Sequence, residues 1–74
     1  MYKSYTVIHD NIQFTDRAVG LRIKRDDGVW ASNPVWFPLS CVTVEKQGAY
    51  YRVVIPEYWV KRKVPENYTI VEIW

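Results

Sequence analysis

The sequence predicts a mainly β domain: five or six short antiparallel strands in a small sheet or partly open barrel, with one short helix near residues 56–63. Three observations predict it. Apolar residues alternate strictly with others over residues 18–24, the two-residue period of a half-buried strand. Turn-forming clusters punctuate the chain roughly every eight to twelve residues, the rhythm of a small β domain. Only residues 56–63 carry both a helix start and a helix stop signal.

Taken in order, Tyr5 to Ile8 is a short strand-forming run, and His9-Asp10-Asn11 reads as a turn or bulge. Ile12-Gln13-Phe14 resumes the alternation before the loop residues Thr15-Asp16. In the next strand Val19, Leu21 and Ile23 face the core, while Ala18, Gly20, Arg22 and Lys24 face the other way. Gly20 marks a bulge or the close approach of another segment. Asp26-Asp27-Gly28 then predicts a hairpin, with Val29 and Trp30 beginning the return. Ala31-Ser32-Asn33-Pro34 is either a short loop or an irregular bulged strand.

Val35-Trp36-Phe37-Pro38-Leu39-Ser40-Cys41-Val42 reads as the stretch around which the sheet is organised. Trp36 and Phe37 must point to opposite faces, one to the core and one partly to solvent. Pro38 ends this strand or places it at an edge. Val42 to Glu45 alternates again, Lys46-Gln47-Gly48 turns, and Ala49 to Ile55 follows as a strand. There Tyr51, Val53 and Ile55 share one face and Tyr50, Arg52 and Val54 the other. Pro56 suits the first position of a two-turn helix, Glu57 its positive end and Lys61-Arg62-Lys63 its negative end. Val64-Pro65 stops it, and Tyr68 to Trp74 forms a last strand. Pairing of that strand with the first would close a barrel and remove an exposed edge.

The 74 residues form one domain, 1–74, with no linker, repeat or low-complexity segment. Four Trp, six Tyr and two Phe are a large aromatic complement for such a chain, and each removes about 150–250 Å² from water when buried. The single cysteine permits neither an internal disulfide nor a cysteine-based zinc site. With no apolar leader and no run of ~18 apolar residues, the expectation is a soluble, cytoplasmic protein without membrane contact. A net charge of +2 falls short of a dedicated duplex-DNA binder.

Arg17-Ala18-Val19, Val35-Trp36-Phe37-Pro38-x-Ser40-x-Val42 and Val54-Ile55-Pro56-Glu57-Tyr58-Trp59 together resemble a group of small, largely uncharacterised phage and mobile-element proteins. In that group a Trp-aliphatic-Pro-basic-Ser strand precedes a further strand and a Pro-Glu-Trp-type amphipathic helix. The resemblance spans residues 17–63 and implies phage origin, in the cytoplasm of a host cell. Leu39 stands where a basic residue is usual and Cys41 where a polar amide is common, so the resemblance implies no basic ligand contact at position 39.

Catalytic chemistry is sparse. His9 is the only histidine, Cys41 the only thiol, and the one carboxylate pair, Asp26-Asp27, sits in an expected solvent-exposed turn. Cys41, beside Ser40 and Val42, reads as a small packing residue. No phosphate-cradling loop or metal-ligand spacing is present, so no enzyme activity, metal or cofactor is expected. The preferred expectation is a binding module that docks on a host or phage protein through an aromatic and basic surface containing Trp59, Tyr58, Tyr2 and Trp74. It would act as a host-directed inhibitor or as an accessory to nucleic-acid metabolism. For Trp59 alone, packing of the helix onto the sheet is the competing reading. The alternative class is a single-stranded DNA or RNA binder using Arg22, Lys24, Tyr50, Arg52, Lys61, Arg62 and Lys63, with Tyr50, Trp30 or Trp59 as stacking platforms. A thiol enzyme on Cys41 is the third class. Tyr2 and Trp74 either close the barrel together or leave an edge strand to pair with a second copy.

Overall fold

The computed structural model describes residues 1–73. In chain order its strands are β1 (Tyr2–Ile8), β2 (Ile12–Phe14), β3 (Ala18–Leu21), β4 (Ile23–Arg25), β5 (Val35–Pro38), β6 (Thr43–Gln47), β7 (Tyr50–Pro56) and β8 (Tyr68–Ile70). The helix α1 spans Glu57–Lys63, between β7 and β8, and single 3₁₀ turns occupy His9–Asn11 and Leu39–Cys41. The protein is mainly β with one short helix, as its sequence predicts. Every strand pairing is antiparallel. The strands divide into three small sheets, ordered β1-β7-β6, β2-β3-β5 and β4-β8, which are not closed into a barrel.

Residues 18–25 hold these sheets together. β3 and β4 are interrupted only at Arg22, whose N–H donates to the Asn11 carbonyl (3.1 Å) and whose carbonyl accepts the Val71 N–H (2.9 Å). One edge of this path is therefore served first by β2 and then by β8. The opposite edge is served by β5 and then by residues 29–31, where Arg25 N–H donates to Val29 and Ala31 N–H to Ile23. Residues 29–31 thus run beside β4, leaving residues 32–34 as a short loop. Val35–Val42 is not the organising centre: β5 is an edge strand, and residues 39–41 turn away from it. The alternation gives the reason. Phe37 and Leu39 direct their backbone groups at β3 and its approach, so the nitrogen of Pro38 faces the open edge, where a missing N–H costs the ladder nothing.

The core draws one face from each sheet. Val7, Val53 and Ile55 meet Val19, Leu21 and Ile23, with Ile12, Phe37 and Ile70 completing the cluster. Phe37 is fully buried, which resolves the Trp36/Phe37 pair. Trp36 points outward and crosses Gly20, its partner in the β3–β5 register. A Cβ at position 20 would stand 2.9–3.0 Å from the Trp36 ring, so glycine is what lets this indole lie against the strand.

The turns follow their sequence signals. Residues 26–28 form a three-residue hairpin loop closed by Gly28 N–H on Arg25 O (2.8 Å), with Gly28 at φ 92°. Gly48, at φ 67°, occupies the first central position of the two-residue β6–β7 turn, the position that type II′ turns assign to glycine. Pro56 ends β7 rather than opening the helix, and α1 begins one residue later at Glu57, whose N–H donates to Met1 O (2.9 Å).

The last strand pairs with β4, not with β1. Its ladder covers residues 68–70, and Val71 remains tied to Arg22. The chain reaches β1 beyond this ladder, at Glu72 and Ile73: Ile73 N–H donates to Thr6 O (3.1 Å), and Thr6 N–H donates to Glu72 Oε2 (3.2 Å). Tyr2 lies opposite Pro56 in the β1–β7 ladder, and Trp74 lies outside the described residues.

Three variants test this packing. Gly20→Ala should cost about 1–3 kcal/mol in chemical denaturation, because the indole has to be displaced. Replacing Trp36 by Leu in the same chain should recover part of that loss. Phe37→Ala should remove about 3–5 kcal/mol. A core of this size supplies about that much in total, so the variant should lose its dispersed amide NMR spectrum at 25 °C.

Candidate interaction surfaces

The groups with intrinsic reactivity are engaged separately. His9 Nδ1 lies 3.3 Å from the Ala49 carbonyl oxygen and Nε2 3.1 Å from Asp10 Oδ1. Cys41 is half-buried in its 3₁₀ turn, with Sγ 3.7 Å from Ser40 Oγ. Asp27 receives both Arg25 Nε and Nη2, the shortest contact being 2.9 Å, together with the Val29 N–H. The Arg25 hydrogen bonds, followed by that of Val29, hold the Asp27 carboxyl below the usual carboxylate range. Among the described residues no cluster of three or more His, Cys, Asp or Glu could hold a metal. A cleft of about 290 Å³ lies between α1, β1 and β8, with Val60, Val64 and Ile70 as apolar walls. At its rim the Tyr5 phenol is pushed up by burial and by the nearby Glu72 and Glu57 carboxylates.

The residues expected to dock a protein separate into different environments. Trp59 packs with Val60 and Val64 against the core, so it fastens α1 to the sheets. Tyr58, on the other side of the helix, is 60 % exposed. Its ring meets Trp59 edge-on at 5.7 Å, and its hydroxyl accepts a 2.6 Å hydrogen bond from Arg62 Nη1. The same guanidinium lies 5.6 Å from the Tyr58 ring centroid. Tyr2 is 71 % exposed and stands beside Pro56, one residue from the Met1 carbonyl that receives the first helical N–H. Lys61 reaches Glu57 at 3.5 Å, and Lys63 is exposed at the helix end. Tyr2, Tyr58 and the basic triplet therefore flank the junction of β1, β7 and α1.

The residues expected to bind nucleic acid do not share one face. Tyr50 and Arg52 lie on the outer side of the β1-β7-β6 sheet, where Arg52 stands between Thr6 and Glu45 and donates from Nε to Ser4 Oγ (3.1 Å). Arg22 and Lys24 lie on the outer side of β3 and β4. Both sheets turn their opposite sides to the same core, so the two groups point away from each other. Arg22 instead finds Trp30: the guanidinium carbon is 4.8 Å from the ring centroid, and the indole stays 45 % exposed. Trp30 sits opposite Lys24 and also walls an open groove of about 440 Å³, which has Tyr68 and Pro65 among its other lining residues.

The close approach expected at Gly20 is that of the Trp36 ring, and sequence reasoning missed three features: that Trp36 is the residue seated there, the Tyr58–Arg62 couple and the groove between Trp30 and Tyr68. The second had a signal, since Val60 and Val64, four apart, fix the buried side of the helix and leave Tyr58 and Arg62, also four apart, outside. The other two depend on strand register. The chain matches no family model, no curated protein and no solved structure.

The hairpin clamp has a pH signature. A carboxyl held below its ordinary range stabilises the fold above that range, and the contribution is lost as pH falls through the lowered value. NMR titration should therefore place Asp27 below a free aspartate, and Arg25→Ala should raise its midpoint.

Proposed function

We propose that this protein is a non-enzymatic binding module that docks on an acidic surface of a partner protein. The working surface is the junction of β1 with α1. The observation that carries this reading is Tyr58: an exposed aromatic ring kept in one position by its own helix, through the Arg62 hydrogen bond and the edge contact with Trp59. Tyrosine and arginine are prominent among interface hot spots, and a ring ordered in advance loses less entropy on binding.

Charge sets the partner's chemistry. Lys3, Lys61, Arg62 and Lys63 lie about this end, against Glu57, already engaged with Lys61, and Glu72, whose carboxylate accepts the Thr6 N–H in the cleft that Lys3 also lines. Rim cations of this kind steer an acidic partner into contact and accelerate association, while the aromatic anchors govern dissociation. Occupying the partner's surface is itself the action. The roles implied by the phage resemblance, host-directed inhibition or support of nucleic-acid metabolism, would be exercised by such occupation.

Affinity capture from a bacterial lysate at two salt concentrations would identify the partner for titration. Tyr58→Ala should weaken its binding by about 2 kcal/mol or more without lowering the melting temperature. Charge reversal at Lys63 should slow association and flatten its salt dependence. Tyr50→Ala, at the far end of β1 and β7, should leave both unchanged. Equal small losses at Tyr58, Tyr2 and Tyr50 would sink the assignment.

A further inference from the structure

We infer that the outer face of β3 and β4 is a second binding site, and that its ligand is single-stranded nucleic acid. The face is independent of the junction that carries Tyr58. Along the strand its outward positions are Gly20, Arg22 and Lys24, spanning roughly 14 Å at the rise of an extended chain. Trp36 lies across Gly20, and Trp30 stands opposite Lys24 with Arg22 over its ring. Two indoles thus flank one arginine, with a lysine beyond.

The cross-strand neighbours on this face are Gln13 and Trp36 of Gly20, Asn11 and Val71 of Arg22, and Trp30 and Thr69 of Lys24, none of them acidic. Among the described residues neither Arg22 nor Lys24 belongs to an ion pair. An anionic ligand therefore meets unneutralised charge. The aromatic content narrows the ligand further. Unpaired bases stack on exposed indoles irrespective of sequence, while cations beside the rings track the phosphates. Duplex DNA fits poorly, because its bases are already stacked and two cations cannot hold its backbone at physiological salt.

Two phosphate contacts fix a quantitative expectation. The logarithm of the affinity should fall against the logarithm of salt with a slope of about −1.4 for a single strand. The test is fluorescence anisotropy of labelled oligo-dT and oligo-U titrated with the full chain over a salt series. Trp30→Ala should weaken binding at least about five-fold. Lys24→Gln should halve the slope, and it keeps the test valid if Trp30→Ala fails to fold. Arg52→Ala on the opposite sheet and Tyr58→Ala on the helix should leave binding unchanged. No binding at low salt, binding indifferent to Lys24→Gln, or equal displacement by poly-glutamate would overturn the proposal. The last of these outcomes would make the face a site for an acidic protein.

Discussion

The alternation of side chains along residues 18–25 is the constraint on which the rest of the structure depends. Its inward members, Val19, Leu21 and Ile23, supply a third of the core cluster, and the backbone between them is paired along both edges by four different segments. A slip of one residue would turn the whole apolar set to water. Register here is thus enforced by burial as well as by hydrogen bonds. The outward members are defined by the same alternation, so one strand determines both the core and the Arg22–Lys24 face.

The small size of the chain sharpens the division of labour among its aromatics. Phe37 is buried completely, Trp59 fastens the helix, and Trp36 covers a strand through the space glycine leaves. Trp30 and Tyr58 are not consumed in this way, yet neither is loose. Each is paired with an arginine, which costs little stability at the surface and fixes the ring's orientation. Such pairing reconciles an exposed apolar ring with a defined geometry.

Much of the fold was legible locally. The inward set of residues 18–24, the glycine turns at 28 and 48, and the helix bounds to within one residue follow from periodicity, positive-φ chemistry and capping signals. Long-range pairing was not legible. Nothing near Tyr68 specifies that it pairs with Arg25 rather than with β1, because that choice depends on Ile70 reaching the core opposite Ile23. For the same reason Arg22 and Arg52 look alike in sequence, each outward on a basic strand, and only the packing of the sheets shows that they diverge. At the helix, Trp59 has the composition of a docking residue but the phase of a core residue. Phase decided its place.

The tie between Thr6 and the segment Glu72–Ile73 bears on how the chain reaches its folded state. It joins positions 66 residues apart, and β1 takes its ladder partners from β7, with Ile8 facing Tyr50 at the nearest point. The β6–β7 hairpin and the turn at 26–28 close over only a few residues and can form early. The first strand, by contrast, has no ladder until β7 has been synthesised. Folding by closure of nearly the whole chain is slow for its length. In the growing polypeptide β1 is therefore an unpaired, tyrosine-rich strand that remains available to other chains until its own partner arrives.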